Sequence, residues 1–172
     1  MRYTANMLQA STSKPAILFV CLGNICRSPM AEGALKSAAA KIGLDVIVDS
    51  VGTANYHIGQ APDPRAIAVA RANGVDIGGV IGRQLTEMDF LDFTHIFALD
   101  TANMAGIKAR APRHGTARIA LLLDAVEGRE GKSVPDPYYG DSQEFEQCWK
   151  TIDEACHALA RTLARDGVNA RF

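Results

Sequence analysis

Ten residues near the start of the chain, Val20-Cys21-Leu22-Gly23-Asn24-Ile25-Cys26-Arg27-Ser28-Pro29, hold two side chains suited to handling a phosphoryl group. Cys21 supplies a thiol, whose anion is a strong nucleophile. Arg27 follows after five intervening residues. It offers a planar fork of N–H donors to two phosphoryl oxygens, which lysine cannot match. Gly23 and Asn24 tolerate the left-handed backbone angles of a tight cradle. Leu22, Ile25 and Cys26 complete a loop whose backbone N–H groups converge at a helix N-terminus, the ordinary construction of an anion site. The same field favours the thiolate of Cys21. Ser28 reads both as an N-cap for the following helix and as a hydrogen-bond partner that steadies the thiolate. A lone cysteine is usually a buried packing residue; this cysteine, with this arginine and loop, points to a phosphate-handling site.

The loop needs a strand before it and a helix after it, and the sequence supplies both. Ala16 to Cys21 is apolar throughout, as a strand buried on two faces should be. With Ser28 as cap, Pro29 takes the first helical position, and Met30, Ala31, Ala34, Leu35, Ala38 and Ile42 recur at helical spacing up to Gly43. Further strands are read at Asp45 to Ser50, Thr94 to Leu99 and Arg118 to Leu123. Asp63-Pro64 opens a helix that Gly74 closes. Thr86 to Asp89 caps a short helix, and Asp100 caps another. Asp124 to Gly140 is a long loop rich in Gly, Pro and charge, of the kind that is often functional. Asp141-Ser-Gln-Glu144 forms a capping box for a last helix with Phe145, Cys148, Trp149, Ile152, Cys156, Leu159 and Leu163 on one face. Strands alternating with helices imply an α/β fold: a three-layer single domain, a four-stranded parallel sheet flanked by about five helices, with the phosphate loop after strand one. Residues 1–14 read as a flexible N-terminal tail and 15–172 as the domain.

Composition bounds the function. The chain has 172 residues, 48% hydrophobic and 22% charged, with a formal net charge of −1. That balance argues against nucleic acid as a partner. The early apolar run is too short for a membrane span and has no signal-peptide pattern, so a membrane is not expected as a partner. The four cysteines, Cys21, Cys26, Cys148 and Cys156, form neither a zinc spacing nor a necessary disulfide framework. Reduced thiols fit a cytoplasmic location. No metal and no cofactor are expected.

Val20 to Glu32 (VCLGNICRSPMAE) resembles the signature of the low-molecular-weight protein tyrosine phosphatases. The resemblance continues through Ser50-Val-Gly-Thr53, Tyr56-His57, Gln60 to Ala66 (QAPDPRA), Arg83-Gln84 and Asp136 to Asp141 (DPYYGD), and covers all but the tail and the extreme C-terminus. It implies a four-stranded parallel sheet, a phosphotyrosine protein or peptide as substrate and inorganic phosphate as product.

By its residues alone, Asp136 between Pro135 and Pro137 is a turn former; the resemblance makes it the general acid and, in a second step, the base. Tyr138, Tyr139 and Tyr56, otherwise loop aromatics, become the walls of a pocket for a phenyl ring. Asn24, Ser28 and Ser50 match positions that brace the phosphate loop. The family often has a histidine where Asn73 stands, so Asn73 is a supporting residue that departs from the pattern. Cys26 is either a small packing residue or a redox partner that traps oxidised Cys21 as a disulfide. His57 reads as a surface residue, and His95, His114 and His157 have no local partners. Lys108, Arg110, Arg113 and Arg118 read as a solvated face.

Three other readings follow from the same loop. A thiol-dependent arsenate reductase of related fold needs further cysteines between Cys26 and Cys148, and the sequence has none. An arginine phosphatase of this family places Thr where Ile25 stands and lacks the paired tyrosines. A non-catalytic phosphotyrosine-binding module predicts loss of Cys21, Arg27 or Asp136, and all three are present.

Overall fold

The structure, a computed structural model, describes residues 14–172. The expected tail therefore lies outside the described residues, except for Lys14. Strand β1 (Ala16–Cys21) is buried along its whole length. It lies inside a four-stranded sheet with β2 (Ile47–Gly52), β3 (His95–Ala98) and β4 (Arg118–Leu121). The order is β2-β1-β3-β4 and every pairing is parallel. Helix α1 (Arg27–Lys41) connects β1 to β2. The chain then passes through α2 (Pro64–Ala72) and α3 (Asp89–Asp92) and returns to the other side of β1 as β3. Helix α4 (Thr101–Arg110) leads to β4, and α5 (Ser142–Asp166) closes the fold.

Alternation along β1 divides the core in two. Ile17, Phe19 and Cys21 join one buried cluster with Met30 and Leu35 of α1 and Trp149, Ile152 and Leu159 of α5. Leu18 and Val20 join another with Phe90 of α3 and Ile107 of α4. The result is helix, sheet, helix: three layers. Because the connection from β1 runs to one side, to β2, and that from β3 to the other, to β4, a crevice opens beyond the carboxyl ends of β1 and β3. The loop after Cys21 lies at that crevice.

Several boundaries differ from the sequence reading. Helix α1 begins at Arg27, and its N-cap is Cys26 with no side-chain cap bond. Ser28 is therefore inside the first turn, and its hydroxyl is directed to the phosphate loop instead of to the helix end. Strand β2 starts at Ile47 and runs on to Gly52, because its register sets Ile47 opposite Ala16 and Gly52 opposite Cys21. Strand β4 ends at Leu121: the Asp124 carboxylate accepts the Leu121 N–H (3.0 Å) and turns Leu122–Ala125 into a 3-10 helix.

The other caps behave as their residues dictate. Asp63 accepts from Arg65 N, Asp100 from Asn103 N and Asp141 from Glu144 N. Gly43 and Gly74 follow their helices with φ of +67° and +80°, angles that cost glycine little. The apolar face of α5 is buried as its spacing predicts. His95 contradicts the expectation of no partners. It is buried, its Nε2 donates to the Ala170 carbonyl (2.8 Å), and its ring lies parallel to Phe97.

Candidate active site

The site is built from the backbone of residues 22–26. Among the described residues, none of these five backbone N–H groups donates a hydrogen bond within the protein. Two carbonyls on the outer side of the loop are occupied: Leu22 O accepts from Ala54 N (2.9 Å) and Ile25 O from Asp63 N (2.8 Å). A loop with satisfied carbonyls outside and unused N–H groups at a helix start is an anion cradle. Asn24 takes the left-handed angle the cradle needs, with φ +57°. Gly23 does not, contrary to expectation. Its constraint is spatial, since a Cβ there would lie 3.0 Å from Cδ2 of His57.

Side chains fix this loop from below. Asn24 Nδ2 donates to Ser28 Oγ (2.8 Å) and Ser50 Oγ (3.0 Å), while Asn24 Oδ1 accepts from Arg83 N (3.1 Å). Ser50 in turn donates to Glu32 Oε2 (3.2 Å), whose other oxygen pairs with Lys36 (3.3 Å). Burial raises the Glu32 pKa above the ordinary carboxylate value, with Lys36 opposing it. The structure thus brings Asn24, Ser28 and Ser50 together beneath the loop. Asn73 is elsewhere: its Nδ2 donates to Val69 O (2.8 Å), one turn back in α2, and makes no described bond to the loop. The position has become a local helix-end contact.

Cys21 Sγ lies at the floor of the crevice, 4% exposed and 3.0 Å from Ser28 Oγ. As a thiolate it accepts the Ser28 hydroxyl proton. Arg27 is 3% exposed and anchored through Nη1, which donates to Asp100 Oδ2 (2.7 Å) and the Val134 carbonyl (2.8 Å). The Nε and Nη2 edge remains for a phosphoryl group, with Asp136 Oδ2 3.5 Å from Nη2. Burial works against the Arg27 charge, but Cys21, Asp100 and Asp136 hold it more firmly protonated than a free arginine. Asp100 was legible only as a helix cap. It caps α4 with Oδ1 and orients Arg27 with Oδ2, a double use that spacing alone does not reveal.

Asp136 stands across the crevice at its mouth, its side chain 45% exposed. Its Oδ1 accepts Tyr138 N (3.1 Å), so the loop's own backbone orients the carboxylate. A cavity of about 300 Å³ joins Cys21, Arg27 and Asp136, with Tyr56, His57, Tyr138 and Tyr139 on its walls. Tyr139 is 97% exposed, standing edge-on to Tyr138 at the rim. His57 is thus a wall residue, held by Gln60 (2.8 Å), and not simply a surface side chain.

Gly52 is a structural requirement that sequence reading passed over within the Ser50 to Thr53 motif. A Cβ there would lie 2.7 Å from Leu22 O and 3.2 Å from Asn24 N, so only glycine lets β2 pass this close to the loop. Cys26 lines the same cavity. Burial, then the negative fields of Asp63 and Cys21, push its pKa well up and keep it a thiol. Cys148 and Cys156 are buried in α5, and burial pushes the Cys148 thiol up to about 12.

Comparison with known proteins matches residues 16–169 to the family described as low molecular weight phosphotyrosine protein phosphatase. The chain is 39% identical to the low molecular weight protein-tyrosine-phosphatase YfkJ of Bacillus subtilis, covering 88% of this chain and 97% of that one. It is 40% identical to a low molecular weight phosphotyrosine protein phosphatase of Schizosaccharomyces pombe, covering 89% and 99%. Among solved structures it resembles a protein tyrosine phosphatase from Entamoeba histolytica, with a TM-score of 0.83 and 36% identity over 88% of this chain and 98% of that one.

Proposed function

The chain belongs to the low molecular weight phosphotyrosine protein phosphatase family and is a phosphatase, and from that premise we propose that it hydrolyses protein phosphotyrosine through a phosphocysteine on Cys21. One observation carries the reading: a thiol, a guanidinium and a carboxylate face one cavity that is floored by unused amides and walled by tyrosines.

In the first displacement the Cys21 thiolate attacks phosphorus as the bond to the phenolic oxygen breaks. Asp136 gives its proton to that oxygen, a leaving group whose own pKa near 10 makes proton donation worthwhile. Arg27 and the loop amides hold the three equatorial oxygens as charge spreads over them. In the second, water attacks the phosphocysteine, Asp136 takes the water proton, and phosphate departs as the sulfur–phosphorus bond breaks. Tyr56, Tyr138 and Tyr139 suit a flat ring. A substrate needs the length of a tyrosine side chain to carry its phosphate past Tyr139 to Cys21, so phosphoserine is disfavoured.

The remaining thiols argue against arsenate reduction. Such a relay passes a disulfide outward, and Cys148 and Cys156 are buried and held as thiols. Cys26 is instead the partner for Cys21 under oxidation: peroxide converts the Cys21 thiolate to a sulfenic acid, and the Cys26 thiol displaces its hydroxyl as water to form a disulfide.

The test is an assay of phosphotyrosine peptide and arsenate turnover with the wild type, Cys21→Ser and Asp136→Ala. Vanadate-sensitive peptide hydrolysis that is abolished in Cys21→Ser and reduced about 10²- to 10⁴-fold in Asp136→Ala is expected. Arsenate reduction, or wild-type turnover by Cys21→Ser, contradicts it.

A further inference from the structure

Arg65 lies in the Gln60 to Ala66 motif yet touches neither the thiol nor the cavity. Its guanidinium nonetheless makes four hydrogen bonds. Nε donates to Asp63 Oδ1 (3.0 Å) and Nη2 to Asp63 Oδ2 (2.8 Å), a planar two-point pair. On the other edge, Nη2 donates to the Tyr138 carbonyl (3.0 Å) and Nη1 to the Gly140 carbonyl (3.2 Å). The plane lies over Phe145, 4.5 Å from the ring centroid, and 5.6 Å from that of Tyr138.

These contacts join two parts of the site. Asp63 N donates to Ile25 O (2.8 Å), so the carboxylate that grips Arg65 belongs to a residue pinned to the phosphate loop. Tyr138 and Gly140 belong to the turn that carries Asp136. Within that turn the bonds are local: Tyr138 N to Asp136 Oδ1 and Gly140 N to Pro137 O. Among the described residues, the polar contacts that tie residues 135–140 to the rest of the molecule are those from Arg65 and the 3.5 Å pair between Asp136 and Arg27. Proline at 135 and 137 stiffens the turn but donates no backbone N–H to hold it in place.

We propose that Arg65 is a positioning residue for proton donation: it clamps the Asp136 turn to the phosphate loop, and so fixes the carboxylate over the leaving oxygen and Tyr138 against the substrate ring. The proposal rests on Asp136 being the general acid. Its effect must then scale with how much the leaving group needs a proton. Lysine cannot replace it, since an ammonium has neither the fork for Asp63 and two carbonyls nor the plane that stacks on Phe145.

The experiment measures kcat/KM for Arg65→Met, Arg65→Lys and Asp136→Asn on phenyl phosphate and on dinitrophenyl phosphate, whose acidic phenol leaves without a proton. Vanadate affinity is measured in each to report an intact phosphate loop, and Arg65→Gln replaces Arg65→Met if the latter does not bind vanadate. Arg65→Met and Arg65→Lys are expected to lose about 10- to 100-fold on phenyl phosphate, part of what an acid contributes, and less than about threefold on dinitrophenyl phosphate. Adding Arg65→Met to Asp136→Asn should cost nothing further on phenyl phosphate. An equal loss on both substrates, no loss, or full rescue by lysine overturns the clamp. If Asp136→Asn itself shows no dependence on the leaving group, the assignment of the acid fails instead.

Discussion

At the scale of single residues, the proposed mechanism separates groups that react from groups that hold them. Arg27 can orient a phosphoryl group only because Asp100 and the Val134 carbonyl fix one of its nitrogens. Asp100→Asn keeps a good helix cap and removes the charge pair. It should therefore lower the thermal midpoint, because the buried Arg27 guanidinium loses a compensating charge, and also lower kcat/KM about 10- to 100-fold through a misplaced guanidinium. Unchanged kcat/KM would dismiss the anchoring role. Cys26 makes the opposite case, a second thiol in the loop that burial keeps protonated and so out of competition with Cys21 as nucleophile. After a peroxide pulse, wild-type activity should return with a dithiol, whereas Cys26→Ala should stay largely inactive because its Cys21 oxidises onward. Equal recovery of the two proteins contradicts the protective disulfide.

At the scale of elements, the phosphate loop is a piece of backbone suspended between β1 and α1 and pressed against the end of β2. Gly52 permits that contact. Gly52→Ala forces a methyl group onto Leu22 O and Asn24 N, and the loop must move. A loss of about 1–3 kcal/mol in urea denaturation is expected, together with weaker vanadate binding. Wild-type behaviour in both would show that the loop yields freely. These elements were largely legible in advance. The all-apolar β1, the period of α5, and the Asp63, Asp100 and Asp141 caps are local signals, and each was read from residues within one turn or one strand. What could not be read was long-range. Ser28 looked like a cap because Ser-Pro commonly starts helices, and nothing nearby in sequence says that Asn24 and Cys21 claim its hydroxyl. Gly52, His57, Arg65 and the second role of Asp100 depend on contacts across 28 to 75 residues of chain, which periodicity does not encode. Asn73 departs from the motif, and its side-chain amide donates to Val69 O within α2.

At the scale of the whole molecule, the parallel sheet gathers the proposed catalytic groups at one end and chain closure at the other. His95 serves the closure. It begins β3, and its Nε2 holds Ala170 while Phe172 packs edge-on against its ring. Burial lowers its pKa below the usual imidazole value near 6.5, with the Ala170 bond opposing and Arg118 adding to the shift. The sign follows: the unfolded chain takes up a proton that the folded chain refuses. The stability linked to His95 is therefore full above about pH 6.5 and is lost as pH falls from there to the lowered folded value. Urea midpoints of wild type should fall through this window more steeply than those of His95→Gln; parallel curves would remove His95 as the cause. Among the described residues no helix is long and apolar enough to cross a membrane. The most direct test of the account is to mix the enzyme with a phosphotyrosine peptide, quench in acid within milliseconds and locate the phosphoryl group by mass spectrometry. Phosphate on Cys21 in the wild type, accumulating in Asp136→Ala with an activated aryl phosphate and absent from Cys21→Ser, is the predicted result. Phosphate on another residue, or turnover with no phosphoenzyme and undiminished activity in Cys21→Ser, would contradict it.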